Sequence, residues 1–264
     1  MQPSSFYERL AEDSVHPTPA VVGPWAANLS HGSPPATLLV HSIARNHPSE
    51  RLRIARVAFD FFGSVPVADL RVTTEVVRPG ARIELLRGRL SAGGRAVMEA
   101  SAWRVAAGSE LDEARVPERV HAREVPKLPG PQSTGLFGDV PTFGYGEALE
   151  WRFVEGAFDA IGPATVYTRP KIPLFPGEEI APLERLLLMV DSANGISAEL
   201  MPSKYLFVPV ELTVSVFRHP CTEWVGMHAE TTIDKSGIGQ THAELFDESG
   251  YLGTALQTLF VAPR

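Results

Sequence analysis

The feature that most constrains the fold is an order of elements that occurs twice in the chain of 264 residues. Each half contains one strongly apolar helical segment, followed by several strand-like segments separated by short turns. The first helix is predicted in "SHGSPPATLLVHSIAR" (30–45), with Ser33 as its N-cap and Pro34 in its first turn. The second is predicted over about 182–193, beginning at Pro182. A helix that is apolar on nearly all sides must be covered on nearly all sides, and a curled antiparallel sheet does this.

The strand-like segments strengthen the evidence for an internal repeat. "SAGGRAVMEASAWRV" (91–105) aligns without a gap on "DESGYLGTALQTLFV" (247–261), an offset of 156 residues that places Gly94 on Gly250. Both segments predict a strand end, a tight turn and a second strand. In "YLFVPVELTVSVFR", four apolar residues alternate with period two and are expected on one face: Val210, Leu212, Val214 and Val216.

The fold class predicted from this order is α+β, with two helix-wrapped antiparallel sheets in one chain. The N-terminal unit is expected over residues 1–107 and the C-terminal unit over 146–264. Residues 108–145 are rich in proline and glycine and are predicted to connect the units. Two such units bury their sheet edges best by pairing into one continuous sheet.

Composition excludes several function classes. The net charge is −7 and no block of lysine or arginine occurs, so the chain lacks the electrostatic pattern of a nucleic-acid-binding protein. The single cysteine, Cys221, excludes an intrachain disulfide and favours a reducing compartment. No apolar run approaches the roughly 20 residues of a membrane span, and the N-terminus does not resemble a signal peptide. A cytoplasmic location without a membrane span is therefore predicted.

Signatures of several common catalytic sites are absent from the sequence. "GxSxG" and "GxxxxGK" do not occur, which argues against a serine hydrolase of the α/β type and against a phosphate-binding loop. His and Cys residues are not clustered at metal-ligand spacing. Neither a metal nor an organic cofactor is expected.

Several segments in the right order resemble one known family, the thioesterase II branch of acyl-CoA thioesterases, and in particular its actinobacterial thioesterase-like members. These are "HGSPPATLL", "SVPVADLRVTTEVVRPGARIELLRGRLSAGGR", "VDSANGIS", "ELTVSVFRHPCTEW" and "DESGYLGTALQTLFV". The resemblance implies a double hotdog fold and hydrolysis of acyl-CoA thioesters by a directly activated water, without covalent intermediate or metal. It also implies a role in lipid metabolism and a homodimer.

The same resemblance indicates the catalytic residues. The family uses an Asp on the second helix, a Thr or Asn before the "DLTV"-like strand, and a Gln on the last strand. Asp191 and Gln257 match two of these positions, and the third is occupied by Pro209. Partial burial of Asp191 in a leucine-rich helix would raise its pKa towards the range useful for a general base. Read without the family, Asp191 equally suits a helix C-terminus in "DSANG", and Gln257 suits a structural hydrogen bond.

Three further residues are candidates for substrate binding. His31 and Gly32 precede the first helix, where outward-pointing backbone N–H groups suit a thioester oxygen and glycine permits close approach. His31 also suits an ordinary loop histidine. Gly195 lies four residues after Asp191, and it is expected to leave room beside the carboxylate.

Proline at position 209 leaves the predicted site incomplete, because proline has no side-chain donor and no N–H. Glu211 is expected on the same face, about 6–7 Å away, and Thr231 or Thr232 is an alternative source of the missing group. A second hypothesis is therefore a weak or inactive protein that binds acyl-CoA or an acyl carrier. A third, a hydratase or dehydratase of the same fold, is disfavoured because no "DxNPxH"-like segment occurs.

Overall fold

The computed structural model describes residues 3–108, 124–132 and 141–264. The predicted connector, 108–145, lies largely outside these residues, so the proposed unit boundaries stay predictions. The described residues form strands, helices and one 3-10 turn at Pro19–Val21. The strands are β1 (Tyr7–Ala11), β2 (Ser14–Pro17), β3 (Leu52–Phe61), β4 (Leu70–Arg78), β5 (Ile83–Ala92), β6 (Arg95–Ala106), β7 (Leu149–Glu155), β8 (Ala164–Pro170), β9 (Tyr205–Val216), β10 (Val225–Ile233), β11 (Ile238–Asp247) and β12 (Gly250–Pro263). The helices are α1 (Ser33–Asn46), α2 (Gly144–Ala148), α3 (Pro182–Val190) and α4 (Ala193–Ile196).

The strands form one antiparallel sheet in the order β1-β2-β4-β5-β6-β3-β9-β12-β11-β10-β8-β7. Strands β1 to β6 lie on one side and β7 to β12 on the other, joined by pairing of β3 with β9 from Arg56↔Ser215 to Asp60↔Glu211. The predicted α+β class and the continuous sheet are confirmed. Each half also contains a hairpin before its main helix, β1–β2 and β7–β8, which the sequence analysis did not identify.

The two halves are related by an offset of 155 residues, and the predicted alignment was one residue out of register. Ala92↔Arg95 closes the β5–β6 turn, and Asp247↔Gly250 closes the β11–β12 turn. The turn residues Gly93–Gly94 therefore correspond to 248–249, and Gly94 does not correspond to Gly250. A slip of one residue moves side chains to the opposite face of a sheet, so the correct offset matters for any comparison of the halves.

The helices α1 and α3 run antiparallel to each other on the inner face of the sheet. Gly32, before α1, lies against Asp191 after α3, while His41 Nδ1 is 3.0 Å from Glu184 Oε1 at the other end of the pair. The leucines of α3 are buried, as are Leu38, Leu39 and Ile43 of α1. Burial of these apolar faces between two helices and a curled sheet is the main source of stability.

The start of α1 differs from the prediction. The helix begins at Ser33 with Gly32 as the N-cap, and the Ser33 side chain makes no capping hydrogen bond. Its backbone N–H instead donates to His31 Nδ1 at 3.1 Å. The imidazole of His31 therefore caps the helix in place of the predicted hydroxyl.

A β-bulge at Val210 overturns the predicted face of β9. Pro209 pairs with Leu259, but Glu211 pairs with Thr258, so Val210 is the extra residue on β9. Leu212, Val214 and Val216 are buried as predicted, whereas Val210 is 45% exposed. The extra residue reverses the alternation, and Pro209 therefore shares a face with Leu212 while Glu211 faces the other side.

Candidate active site

Asp191 and Gln257 are in direct contact. Gln257 Nε2 donates to Asp191 Oδ1 at 3.0 Å and to the Asp191 backbone oxygen at 3.3 Å. Asp191 is the C-cap of α3, and Gln257 points inward from the middle of β12. The helix C-terminus that the sequence allowed for Asp191 is observed, and a catalytic role for Asp191 and Gln257 stays a prediction.

Asp191 is 5% exposed, and no charged cationic side chain of the described residues lies beside its carboxylate. Burial raises its pKa from 3.8 to about 7, although hydrogen bonds from the Gln257 amide and the Gly32 backbone N–H act in the opposite direction. A carboxyl group with this pKa is half ionised near neutral pH. It can accept a proton from water and return it within one reaction cycle.

Gly32 must be glycine for Asp191 to occupy this position. A Cβ at Gly32 would collide with Asp191 Oδ2 and would lie 3.0 Å from Phe61 Cε1. The Gly32 N–H reaches the carboxylate because no side chain intervenes.

His31 is a neutral imidazole. Its ring stacks on Tyr145 with centroids 3.9 Å apart, and burial lowers its pKa to about 3. Because Nδ1 accepts the Ser33 N–H, the ring proton lies on Nε2. The 3.5 Å separation of His31 Nδ1 and Asp191 Oδ2 is therefore not an ion pair, since two acceptor atoms face each other while Asp191 is ionised.

Tyr145 of α2 joins the two helices around His31. Its hydroxyl donates to the Leu188 backbone oxygen and is 2.7 Å from Ser192 Oγ and 3.4 Å from Ser33 Oγ. Sequence reasoning missed this residue because it lies at the end of the predicted connector.

The backbone N–H groups at the start of α1, which were predicted to bind the thioester oxygen, already donate hydrogen bonds within the protein. The Gly32 and Ser33 N–H groups already serve Asp191 and His31, and the Ala36 N–H donates to Gly32 O. Pro34 and Pro35 have no N–H. The donor that remains at this position is Nε2–H of His31.

Asn194 lies on the other side of Gln257 and was also missed. Its backbone N–H donates to Gln257 Oε1 at 3.1 Å, which fixes the orientation of the glutamine amide. This N–H is available because the helical run breaks after Val190 and restarts in α4. The one sequence signal is the polar "DSANG" that follows an apolar helix.

Pro209 marks the point where β3 and β9 separate. The Val261 N–H donates to Gly237 O on the β11 side, so the opposite residue Phe207 directs its main-chain groups away from β12, towards β3. By the period of two, Pro209 faces the same way, but the β3–β9 ladder has already ended at Asp60↔Glu211. Proline is tolerated because no strand partner is present there. We call the space between the end of β3 at Phe61 and residues 205–210 of β9 the β3–β9 gap.

Three residues were considered as a source of the polar group that Pro209 lacks: Glu211, Thr231 and Thr232. Glu211 lies on the outer face and accepts hydrogen bonds from Thr213 and Thr258. The prediction that it shares a face with Pro209 is therefore wrong. Thr232 is exposed. Thr231 is buried, and its hydroxyl lies 2.8 Å from that of Ser197 and 2.7 Å from that of Thr241, so the hydrogen bonds described for it do not include Asp191.

Gly195 lies in α4, outside the helix that carries Asp191, because the helical run breaks between them. It is exposed, and a Cβ there would meet nothing within 4 Å. The steric requirement predicted for Gly195 therefore belongs to Gly32, and a role of Gly195 in substrate binding stays a prediction.

Among the described residues, no helix is long and apolar enough to cross a membrane. No group of three or more His, Cys, Asp or Glu side chains within residues 3–108, 124–132 and 141–264 is arranged to hold a metal ion.

Comparison with known proteins gives matches over nearly the whole chain. Residues 21–105 match the family model described as acyl-CoA thioesterase N-terminal domain, and residues 117–261 match the acyl-CoA thioesterase C-terminal domain. A comparison with curated protein sequences found no match.

Solved structures share the fold at low sequence identity. The acyl-CoA thioesterase II TesB2 from Mycobacterium marinum has a TM-score of 0.67 and 17% identity, covering 98% of this chain and 94% of that chain. A tesB protein from Mycobacterium avium subspecies paratuberculosis has a TM-score of 0.66 and 14% identity, with coverage of 97% and 96%. A protein of unknown function with a hot dog fold from Alicyclobacillus acidocaldarius has a TM-score of 0.72 and 15% identity, with coverage of 96% and 95%. The predicted double hotdog fold is confirmed.

Proposed function

The chain belongs to the acyl-CoA thioesterase family and is a thioester hydrolase, and we propose that Asp191 and Gln257 carry its reaction on an acyl-CoA substrate. The observation that carries the proposal is the buried Asp191 carboxylate, with a pKa raised to about 7 and an amide hydrogen bond from Gln257. A cytoplasmic homodimer that acts in lipid metabolism, and membership of the actinobacterial branch, remain parts of the proposal.

In the proposed reaction, Asp191 accepts a proton from a water molecule as the water oxygen bonds to the thioester carbon. The carbon–sulfur bond then breaks, and the thiolate leaves and takes the proton back from the Asp191 carboxyl group. The products are a carboxylic acid and free CoA thiol. A thiolate leaves readily, so one residue with a pKa near 7 serves both proton transfers.

The neighbours of Asp191 have supporting roles in this proposal. Gln257 holds the carboxylate in one orientation, and the Gly32 N–H donates a further hydrogen bond to it. His31, kept neutral by burial, offers Nε2–H to the carbonyl oxygen as negative charge develops there.

The second candidate function is binding of an acyl thioester without turnover. It is favoured by Pro209, which supplies no hydroxyl or amide at the position where the related thioesterases have Thr or Asn.

The decisive experiment measures release of free thiol from acyl-CoA esters of graded chain length. Asp191→Asn preserves the shape of the side chain but removes the base, and we expect its kcat to fall by about 10²-fold or more. Asp69→Asn is the matched control, because Asp69 is an exposed carboxylate bonded to His16. Turnover by D191N at the wild-type rate would refute the assignment of the base. Tight binding of acyl-CoA with no thiol release by the wild type would establish the second candidate.

A further inference from the structure

We infer that Asn194 is the third polar residue of the site and that its side-chain carboxamide holds the attacking water against Asp191. This inference rests on the proposed function. It concerns how the water is held, which the Asp191–Gln257 pair alone leaves undetermined.

The position of Asn194 is fixed by the catalytic pair itself. Its backbone N–H is 3.1 Å from Gln257 Oε1, and the same glutamine donates to Asp191 through Nε2. Residue 194 is therefore part of one hydrogen-bonded chain with the base.

The Asn194 side chain has unused hydrogen-bonding capacity. The residue is only 6% exposed. Yet its side chain makes one hydrogen bond to a described residue, from Nδ2 to Phe207 O, and at 3.5 Å this is at the limit for such a bond. No described residue donates to Oδ1. A carboxamide offers two donors and an acceptor oxygen, and buried amides are normally satisfied. A water or ligand group at this amide resolves the deficit.

The direction of the side chain places that water at the β3–β9 gap. Asn194 Nδ2 lies 3.5 Å from Phe207 O, which faces the gap, where no strand of the described residues pairs with β9. Pro209 lies two residues further along the same edge and offers neither a side-chain donor nor an N–H. A side-chain amide at this edge thus comes from α4, because residues 205–210 of β9 carry none.

The inferred geometry specifies the protons of the water. Asp191 accepts one O–H, and Asn194 Oδ1 accepts the other. The oxygen lone pair is then directed at the thioester carbon, and one proton moves to Asp191 as described above. Fixing both O–H groups reduces the orientations that the water must lose on reaching the transition state.

The test compares Asn194→Ala, Asn194→Asp and Asn46→Ala by steady-state thiol release across pH. Asn46 is the control, because its amide bonds to Thr74 near the C-terminus of α1, at the end away from Asp191. We expect N194A to lower kcat by about tenfold or more with KM changed by less than about threefold, and N46A to have no effect. N194D keeps the acceptor but adds a charge near Asp191, so the midpoint of its pH profile should move to higher pH.

Thermal unfolding of each variant separates a structural role from the inferred one. If N194A unfolded at a lower temperature but kept the wild-type kcat per folded molecule, the inference would be overturned. Asn194 would then have only a structural role in supporting β9. An unshifted pH midpoint in N194D would overturn the inference equally. Wild-type turnover by D191N would instead refute the proposed function, whereas an inactive D191N beside a fully active N194A would refute only the role of Asn194.

Discussion

One row of cross-strand partners differs sharply between the two halves of the sheet. In the N-terminal half, the row crosses β3, β6, β5 and β4 and consists of Val57, Ala102, Leu86 and Val76. At the offset of 155 residues, the corresponding row of the C-terminal half consists of Leu212, Gln257, Thr241 and Thr231. The same positions of the same fold are apolar in one half and mostly polar in the other.

The helix above each row differs in the same sense. Helix α1 is continuous for 14 residues, whereas α3 has 9 and ends at Asp191. An uninterrupted helix has no spare backbone donors in its interior, but the break at Asp191 supplies the Asn194 N–H that Gln257 accepts. The polar row and the broken helix therefore depend on each other, because a buried glutamine needs partners. This dependence distinguishes the C-terminal half, which carries the proposed site, from the N-terminal half.

The largest effect is expected when the start of α1 is made like the start of α3, where the N-cap is Ala181. Gly32→Ala places a Cβ against Asp191 Oδ2 and Phe61, so the carboxylate must move. We expect a loss of about 10²-fold in kcat/KM and destabilisation of about 1–3 kcal/mol. Gly130→Ala is the matched control and should change neither, since Gly130 is exposed and its Cβ meets open space. Full activity of G32A would show that Asp191 does not need its observed position.

A slightly smaller effect is expected when Gln257 is replaced by the residue of the other row. Gln257→Ala, which copies Ala102, leaves the Asn194 N–H and the Asp191 carboxylate without their shared partner. Turnover should fall by about 10- to 100-fold. Because the lost hydrogen bond lowered the pKa of Asp191, the midpoint of the pH profile should rise. A pH profile identical to that of the wild type would contradict the role of Gln257.

Asp191 and His31 are two buried groups with shifted pKa values, and each has a consequence for the pH dependence of the wild type. With the pKa of Asp191 at about 7, kcat/KM should rise through pH 7 as the base loses its proton, and D191N should lack this limb. Thermal stability reports the same group. The pKa of Asp191 is about 7 in the folded protein and has its ordinary value of 3.8 in the unfolded chain. The folded state therefore binds the proton more tightly, and the contribution of Asp191 to stability falls as the pH rises from about 4 to 7.

His31 acts on stability in the opposite direction. Its folded pKa of about 3 lies below its ordinary value of 6.5, so its contribution rises over that window. The difference in unfolding free energy between wild type and D191N isolates Asp191 and should decrease from pH 4 to 7. A constant difference would contradict a raised pKa.

The sequence was informative where patterns are periodic and uninformative where the backbone departs from them. Alternation in Leu212–Val216 and the paired turns predicted the meanders, and the same alternation in "LEWRFVE" could have revealed β7. The alignment of Gly94 with Gly250 was misleading because the two turns use glycine at different positions: φ is +80° at Gly94 in the turn, and Gly250 follows its turn. The bulge at Val210 has no side-chain signature, so the face of Glu211 could not be predicted.

The candidate site was predicted only in part, because its residues are not marked by any periodic pattern. Asp191 and Gln257 came from family resemblance, since an Asp in a leucine-rich helix and a Gln in a strand each have structural explanations. Tyr145 and Asn194 are ordinary residues in their own segments. Their importance arises from contacts across the fold, which a single sequence does not display.

The smallest effect, and the sharpest test of the comparison, comes from making the outer part of the polar row apolar. Thr231 and Thr241 bond to each other and Thr231 also to Ser197, which keeps a hydrogen bond to Ala193 O. Thr231→Val alone leaves the Thr241 hydroxyl buried without its partner and should cost about 1–3 kcal/mol. The T231V/T241V double variant removes both hydroxyls, so its unfolding free energy, measured by urea denaturation, should lie within about 1 kcal/mol of the wild-type value. Turnover should stay within about twofold, because the hydrogen bonds described for the two threonine side chains do not include Asp191 or Gln257. If the double variant lost turnover while remaining folded, the whole polar row would serve catalysis, and the difference between the halves would extend beyond Gln257.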